Sequence, residues 1–446
     1  MARSALRSLA IWMNGERVGQ WQHLRGKDVL TYDASWLNHA QGRPLSLSLP
    51  FLPGNAPHSG PLVTSYFDNL LPDSEAIRRR IATRYQTSGL EPFALLSAIG
   101  RDCVGAIQLL PEGEQPDDIY QIRGEALQEA DIAHILRETI TGSPWPAKAG
   151  ASDALRLSIA GAQEKTALLW HQGSWQRPLG STPTTHIFKL PMGLVGGMQA
   201  DMRTSVENEW LCSKLIAAFG LAIADCDIAS FEDQKALIVR RFDRRPASDG
   251  RWLVRLPQED MCQATGTPPH LKYQSDGGPG ISDIMGLLAK SATASEDRAA
   301  FFKAQILFWL LAATDGHAKN FSITHQPQNQ FRATPLYDVL SAHPIIGSGK
   351  NQLARQDAAL AMAVRGSSNY YKLDRIQRRH WIKHANACGL SKAEAEHIVQ
   401  DLLDTTPKVL DQLAAQLPAS FPADLADAIL SGVRRQRDRL AAMPGA

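Results

Sequence analysis

Apolar residues crowd Phe301, Phe302, Ala304, Ile306, Leu307, Trp309, Leu310, Leu311 and Ala312 on nearly every face of a helical wheel, with no Gly or Pro among them. That pattern predicts a buried helix ending at Asp315-Gly316. Val206, Trp210, Leu211, Leu215, Ile216 and Phe219 recur at helical spacing and predict a second helix over 205–219, closed by Gly220. Further helices are predicted at 74–85, 126–140, 281–288, 375–387, 393–403 and 425–439. Short apolar or alternating runs predict strands at 9–13, 104–110, 167–170 and 186–190. Two hairpins are predicted, 227–231 with 236–242 and 321–323 with 331–340, the second carrying Asp338 at or near its far strand.

Breaker residues divide this pattern into three segments. Residues 1–113 alternate strand-like runs with one helix and close at Pro111-Glu112-Gly113. Residues 114–263 hold a linker helix, a Gly/Pro/Ala-rich joint at 142–151 and a second β-rich region. After the Gly/Pro-rich stretch 265–280, residues 264–446 read as mainly helical apart from the second hairpin.

Candidate chemistry sits where the buried helix stops. Thr314-Asp315-Gly316-His317-Ala318-Lys319-Asn320 places an asparagine five positions after an aspartate, and Asp338 follows eighteen residues later. Metal-dependent phosphoryl transfer needs this set: an aspartate to take the acceptor's proton, and an Asn carbonyl with an Asp carboxylate as hard oxygen ligands for magnesium. Taken singly, Asp-Gly closes turns and Asn caps loops. The combination is informative because the hairpin can bring Asn320 and Asp338 together.

Upstream, Ser158-Ile159-Ala160-Gly161-Ala162-Gln163-Glu164-Lys165-Thr166 leads into an apolar strand. It is not a Walker A loop, since Glu164 rather than Gly precedes Lys165 and a strand rather than a helix follows. A strand-to-strand lid over phosphates fits it. Lys189 is a single charge in the alternating run His186-Ile187-Phe188-Lys189-Leu190 and is the candidate phosphate-positioning lysine, with Glu207 or Glu209 as its expected partner. Backbone groups of Arg241 and Phe242, at the end of the first hairpin, are candidates to read an adenine edge.

With these residues in view, the chain resembles the HipA family of serine/threonine kinases, toxins of bacterial type II toxin–antitoxin modules. The resemblance runs from about Trp12 to Leu440. It rests on R-P-L-S-L-S-L-P from Arg43, F-D-N-L-L-P-D-S from Phe67, S-I-A-G-A-Q-E-K-T-A-L-L from Ser158, R-L-P-Q-E-D-M-C-Q from Arg255, D-G-G-P-G from Asp276 and T-D-G-H-A-K-N-F-S from Thr314. It implies an α+β, two-lobed protein-kinase-like fold with an added N-terminal β-rich subdomain and a mostly helical C-terminal lobe.

It further implies ATP and Mg2+ as cofactors, Asp315 as the catalytic aspartate, and His317 as a residue shaping the catalytic loop. Asn320 and Asp338 become magnesium ligands, Lys189 with Ala160–Lys165 the phosphate site, and Gln258 part of a motif near the nucleotide. Ser158 matches the serine that family members phosphorylate on themselves to switch the kinase off. The implied partners are a HipB-type helix-turn-helix antitoxin, operator DNA mainly through that antitoxin, and an aminoacyl-tRNA synthetase substrate, notably the glutamyl enzyme. Phosphorylation of that substrate stalls translation and promotes dormancy.

Composition agrees. Charge is nearly balanced, 47 Lys and Arg against 45 Asp and Glu, which argues against strong autonomous binding to nucleic acid. The Arg434, Arg435, Arg437, Arg439 cluster reads first as a solvated helix face. Cys103, Cys212, Cys226, Cys262 and Cys388 are odd in number and lack C-x-x-C spacing, as suits a reducing cytoplasm. No apolar run of signal-peptide or membrane-span type is present, and a soluble bacterial cytoplasmic protein is expected. A small-molecule kinase, and a non-catalytic corepressor of its own operon, are the alternative functions.

Overall fold

The computed structural model describes residues 7–141, 157–161 and 163–445. The expected joint at 142–151 lies outside the described residues. Helices and sheets are mixed throughout, an α+β chain, and they form two compact units. Chain order does not map simply onto them. The first unit takes residues up to Leu190 with Ala229–His270 and Ile323–Phe331, and the second takes Pro191–Ile228, Leu271–Ser322 and Arg332–Ala446.

The first unit begins with a five-stranded antiparallel sheet in the order His58–Ser59, Lys27–Tyr32, Glu16–Leu24, Arg7–Met13, Ile107–Pro111. Asn14-Gly15, at φ 49° and 87°, makes the tight turn between its first two strands, a pair able to adopt the left-handed conformation that matches strand twist. Helices Pro61–Asp68 and Pro92–Ile99 bury Phe67, Leu95 and Leu96 with Trp21 and Leu30, and the Trp21 and Phe67 rings stack at 3.8 Å.

The second sheet runs Cys226–Phe231, Gln234–Arg240, His186–Lys189, Lys165–His171, Ser174–Pro178, Gly124–Ala126. Helix Glu129–Thr141 closes its core, packing Ile132, Ala133 and Leu136 with Leu168, Phe188 and Ala236.

Two devices join the N-terminal segment to the residues that follow the second sheet in the chain. One is a buried charge cluster of Asp102, Asp243, Arg241, Arg244 and Arg255. Asp102 lies 2.9 Å from Arg244 and 3.4 Å from both Arg241 and Arg255, and Asp243 lies 2.8 Å from Arg241. Gly105, at φ 77°, gives its N–H to Asp243, and a Cβ on it would stand 2.7 Å from the Gln258 carbonyl. The other device brings together residues of three of the sequence strings quoted above. Ser46 and Ser48 donate to the Gln263 carbonyl at 3.1 and 2.7 Å, and the Leu47 N–H meets Glu259 at 2.9 Å. Asn69 donates to the Thr267 carbonyl at 2.9 Å, while Asp260 and Gln263 form a capping box opening helix Met261–Thr265.

The second unit is mainly helical. Helix Ala294–Leu311 buries Phe301, Phe302 and every residue from Ala304 to Leu311, so the uninterrupted apolar run correctly signalled an interior helix. Helix Lys392–Gln416 runs well past its expected end at 403, through Pro407. Proline removes the bond to the carbonyl four residues back; that carbonyl, Leu403, instead accepts Arg437 Nε at 2.9 Å. Helix Ala423–Ala441 spends its arginines in the same way: Arg434 pairs with Asp411 at 2.8 Å, Arg439 with Asp374 at 2.8 Å, and Arg437 also with Asp438 at 3.0 Å. The five cysteines are all free thiols.

Candidate active site

The C-terminus of helix Ala294–Leu311 builds the centre of the site. Ala312 turns left-handed at φ 50° and returns its N–H to the Phe308 and Trp309 carbonyls. Four residues on, the chain crosses so close to Phe308 that a Cβ on Gly316 would stand 2.4 Å from the ring. A short 3-10 turn, Ala318–Asn320, follows, then the hairpin strand Ser322–His325. The His317 N–H bonds the Asp315 carbonyl at 2.8 Å and the Asn320 N–H bonds the His317 carbonyl at 2.9 Å, so the loop is folded on itself.

Asn320 ties the site together. Its side-chain Nδ2 donates to the Asp315 carbonyl at 3.1 Å and to the Asp338 carbonyl at 3.2 Å. Only an NH2 group can face two carbonyls, so the Asn320 amide oxygen is turned away from both. The side chain is buried, as is His317, whereas Asp315 is exposed. Asp338 does not lie in a strand as expected: the second strand of the hairpin is only Phe331–Ala333, and Asp338 stands beyond it at φ 61°. A left-handed aspartate is a strained position of the sort that gathers at functional sites. Tyr337 beside it donates to the Lys319 carbonyl at 2.8 Å, and Leu336 is pinned by the Ala222 carbonyl at 2.9 Å.

Sequence reasoning missed Tyr273. Its hydroxyl donates to Asp315 Oδ1, and its ring meets His317 edge-on at 5.1 Å. Tyr273 is 42 residues from Asp315, and no local spacing announces such a partner.

The donor set suits a magnesium ion. Among the described residues no three of His, Cys, Asp and Glu cluster as a metal site. A cation here would have Asn320 and Asp338 to hold it and would need further oxygens from phosphate or water. That sparse hard-oxygen shell is magnesium's habit, and the outward-facing Asn320 oxygen fits it.

In the first unit, Lys189 ends its strand, buried, opposite Lys165 and Leu237 in register. The candidate partners Glu207 and Glu209 are buried on helix Ser205–Ala218 of the second unit. The lid residues form a closed loop. Ser158 is fully buried, its strand pairs with Asp102-Cys103, and its Oγ donates to the Leu70 carbonyl at 2.8 Å. Lys165 Nζ reaches back to the Ala160 carbonyl at 2.7 Å, around Gly161 at φ 109°. Gln163 Nε2 donates to the Leu190 carbonyl at 2.6 Å, and Glu164 accepts from Arg80. Ala162 lies outside the described residues.

The expectation for Arg241 is corrected in part. Its N–H is committed to the Thr185 carbonyl at 2.9 Å and is not open to an adenine, and its side chain belongs to the buried charge cluster. That leaves the Arg241 carbonyl and the Phe242 backbone as candidates. Gln258 is half-buried in the strand Gln258–Asp260.

Comparison with known proteins bears on the whole chain. Residues 157–410 match the HipA-like C-terminal domain family and residues 9–131 the HipA N-terminal domain family. The Sinorhizobium fredii protein Y4mE, named as a kinase, is 33% identical over 410 residues, 91% of each chain. The serine/threonine-protein kinase toxin HipA of Shewanella oneidensis is 29% identical over 323 residues, 70% of this chain and 69% of that one. A solved Shewanella oneidensis complex of HipA, HipB and operator DNA contains a chain that superimposes with a TM-score of 0.77 at 21% identity, covering 98% of both chains; this likeness speaks to fold.

Proposed function

The chain belongs to the HipA family of kinase toxins, and from that premise we propose that it is an ATP-dependent serine/threonine protein kinase that phosphorylates an aminoacyl-tRNA synthetase, with the glutamyl enzyme the first candidate. The observation that carries the reading is the Asn320 side chain, which joins the loop bearing Asp315 to Asp338 through two hydrogen bonds.

In this reading Asp315, exposed and oriented by Tyr273, accepts the proton of the attacking serine hydroxyl. His317 buttresses the loop. Asn320 and Asp338 would hold magnesium, which would supply positive charge to offset that of the transferring phosphate. Lys189 and the Ser158–Lys165 loop position the phosphates, while Phe242, the Arg241 carbonyl and Gln258 bear on the rest of the nucleotide.

Ser158 is the self-inactivation site. A phosphate dianion cannot stay at a position with no solvent exposure and one carbonyl partner, so its addition expels the loop. A helix-turn-helix antitoxin of HipB type restrains the kinase and carries it to operator DNA. The setting is the bacterial cytoplasm; no described helix is long and apolar enough to cross a membrane.

The test is incubation with labelled ATP, magnesium, tRNA and purified synthetases. Label on a synthetase and a phosphate mass gain on Ser158, both abolished by Asp315→Ala in a protein with unchanged circular dichroism, are the expected results. Transfer that survives Asp315→Ala refutes the catalytic assignment. Self-phosphorylation with every synthetase unlabelled points to a small-molecule or other protein acceptor, and absence of any transfer points to a corepressor.

A further inference from the structure

Helix Glu75–Tyr85 packs against the N-terminal core only through the partly buried Ile81, Ala82 and Tyr85. Among its residues none is fully buried, and it carries Arg78, Arg79, Arg80 and Arg84. Its arginines show what it does. Arg78 donates from Nε to the Pro72 carbonyl at 2.6 Å and pairs with Asp68 at 2.7 Å, bracing the turn ahead of the helix. That turn grips the phosphate loop: the Leu70 carbonyl takes the Ser158 hydroxyl, Pro72 bridges Gly161, and the Asp73 N–H donates to the Gly161 carbonyl at 3.1 Å. Arg80, two residues along, pairs directly with Glu164 on the loop.

We propose that Arg80 is a positioning residue for nucleotide binding, a latch that holds the Ser158–Lys165 loop closed through Glu164 and neutralises that carboxylate. The proposal rests on the reading of this loop as the phosphate lid. Two physical arguments support it. A bare carboxylate one residue before Lys165 opposes the approach of a triphosphate, and a guanidinium beside it removes that repulsion. The pair is also about one-third exposed on each side, 31% and 29%, so water can take over both partners when the loop lifts. Ser158 and Gly161 lack this feature, since their bonds to Leu70 and Asp73 are made by neutral groups. The Arg80 contact is therefore the part of the clamp that responds to charge: a phosphorylated or phosphate-bearing neighbour competes with Glu164 for the same guanidinium.

The experiment compares full-length wild type, Arg80→Ala, Arg80→Glu and the charge-exchanged Arg80→Glu/Glu164→Arg. Hydrogen exchange across residues 157–165 without nucleotide should rise roughly fivefold in Arg80→Ala and more in Arg80→Glu, and fall back toward wild type in the exchanged double variant. KM for ATP should follow the same order by a similar factor while kcat moves less than about twofold. Unchanged exchange in Arg80→Ala, or a double variant as impaired as Arg80→Glu, overturns the latch. If Arg80→Glu loses its circular dichroism signal, Arg80→Gln carries the test instead. Calorimetric binding of magnesium-ATP to wild type is measured alongside: failure there removes the kinase reading, whereas the exchange data judge the latch by themselves.

Discussion

Replacing Asp102 by Asn removes one negative charge from a site where three guanidiniums converge. Arg244, Arg241 and Arg255 lie at 2.9, 3.4 and 3.4 Å from the carboxylate, and the Thr184 N–H and hydroxyl donate to it at 3.0 and 2.7 Å. After the change Asp243 alone faces Arg241 and Arg244, and Arg255 keeps the Ser181 carbonyl at 3.0 Å as its neutral partner. Breaking a buried ion pair on one side costs about 3–5 kcal/mol, because the remaining charge stays desolvated. Arg255 already registers that cost: burial brings its guanidinium down to about 10.

Urea denaturation followed by tryptophan fluorescence is the assay, since Trp21 is fully buried in the same unit. With a slope of about 3 kcal/mol/M, the midpoint for the first unit should fall by roughly 1–1.7 M. Acid gives a second reading. Burial pushes the Asp102 carboxyl up, but Arg244, Arg241 and Arg255 outweigh it and hold it far below the usual carboxylate range. A group depressed in the folded state contributes stability that is present above its unfolded value and lost as pH falls through its folded one. Wild type should therefore lose stability below about pH 4 more steeply than Asp102→Asn. A midpoint shift under about 0.3 M, or identical acid slopes, would refute the view that this cluster fastens the N-terminal segment to the residues that follow the second sheet.

Asn320→Asp keeps an oxygen ligand but cannot donate to the Asp315 and Asp338 carbonyls, so phosphate transfer should fall by on the order of 10²-fold while the melting temperature moves little; wild-type turnover would discard the tying role of Asn320. Gly316→Ala drives a methyl into the Phe308 ring, and overpacking of this kind costs about 1–3 kcal/mol, to be read as a lowered melting temperature with transfer reduced in step. His343 and His384 are both pushed down to about 4, by burial first, so each is neutral when folded at pH 5. Their contribution is present above about 6.5 and lost as pH falls toward 4. Thermal unfolding of wild type should show that loss, and His384→Gln should flatten part of it.

Much of this architecture was readable because it is encoded locally. The unbroken apolar run before Asp315 marked an interior helix, and the D-x-x-x-x-N spacing survives folding because a 3-10 turn brings Asn320 back against Asp315. Ser158 and Lys165 likewise bound a strand-to-strand loop as their sequence context predicted. What escaped depends on distant partners. Arg241 looked like a residue lending backbone to a base, yet its side chain was recruited by Asp102, 139 residues away, and Tyr273 and Arg80 meet their partners across 42 and 84 residues. The helix expected to end at 403 continues through Pro407 because the Leu403 carbonyl that the proline leaves without a partner takes up Arg437 from another helix. The second strand of the hairpin ends at Ala333, two residues before Pro335, whose ring nitrogen has no hydrogen to give a ladder.

The arginines of helix Ala423–Ala441 bear on how any polyanion would be met there. Arg434, Arg437 and Arg439 already hold carboxylates, so a phosphate backbone laid along this helix would trade one anion for another rather than shed condensed sodium or potassium from its own atmosphere. Adhesion through that stripe should fade only gently as ionic strength climbs, less than four bare positive charges in the sequence would suggest.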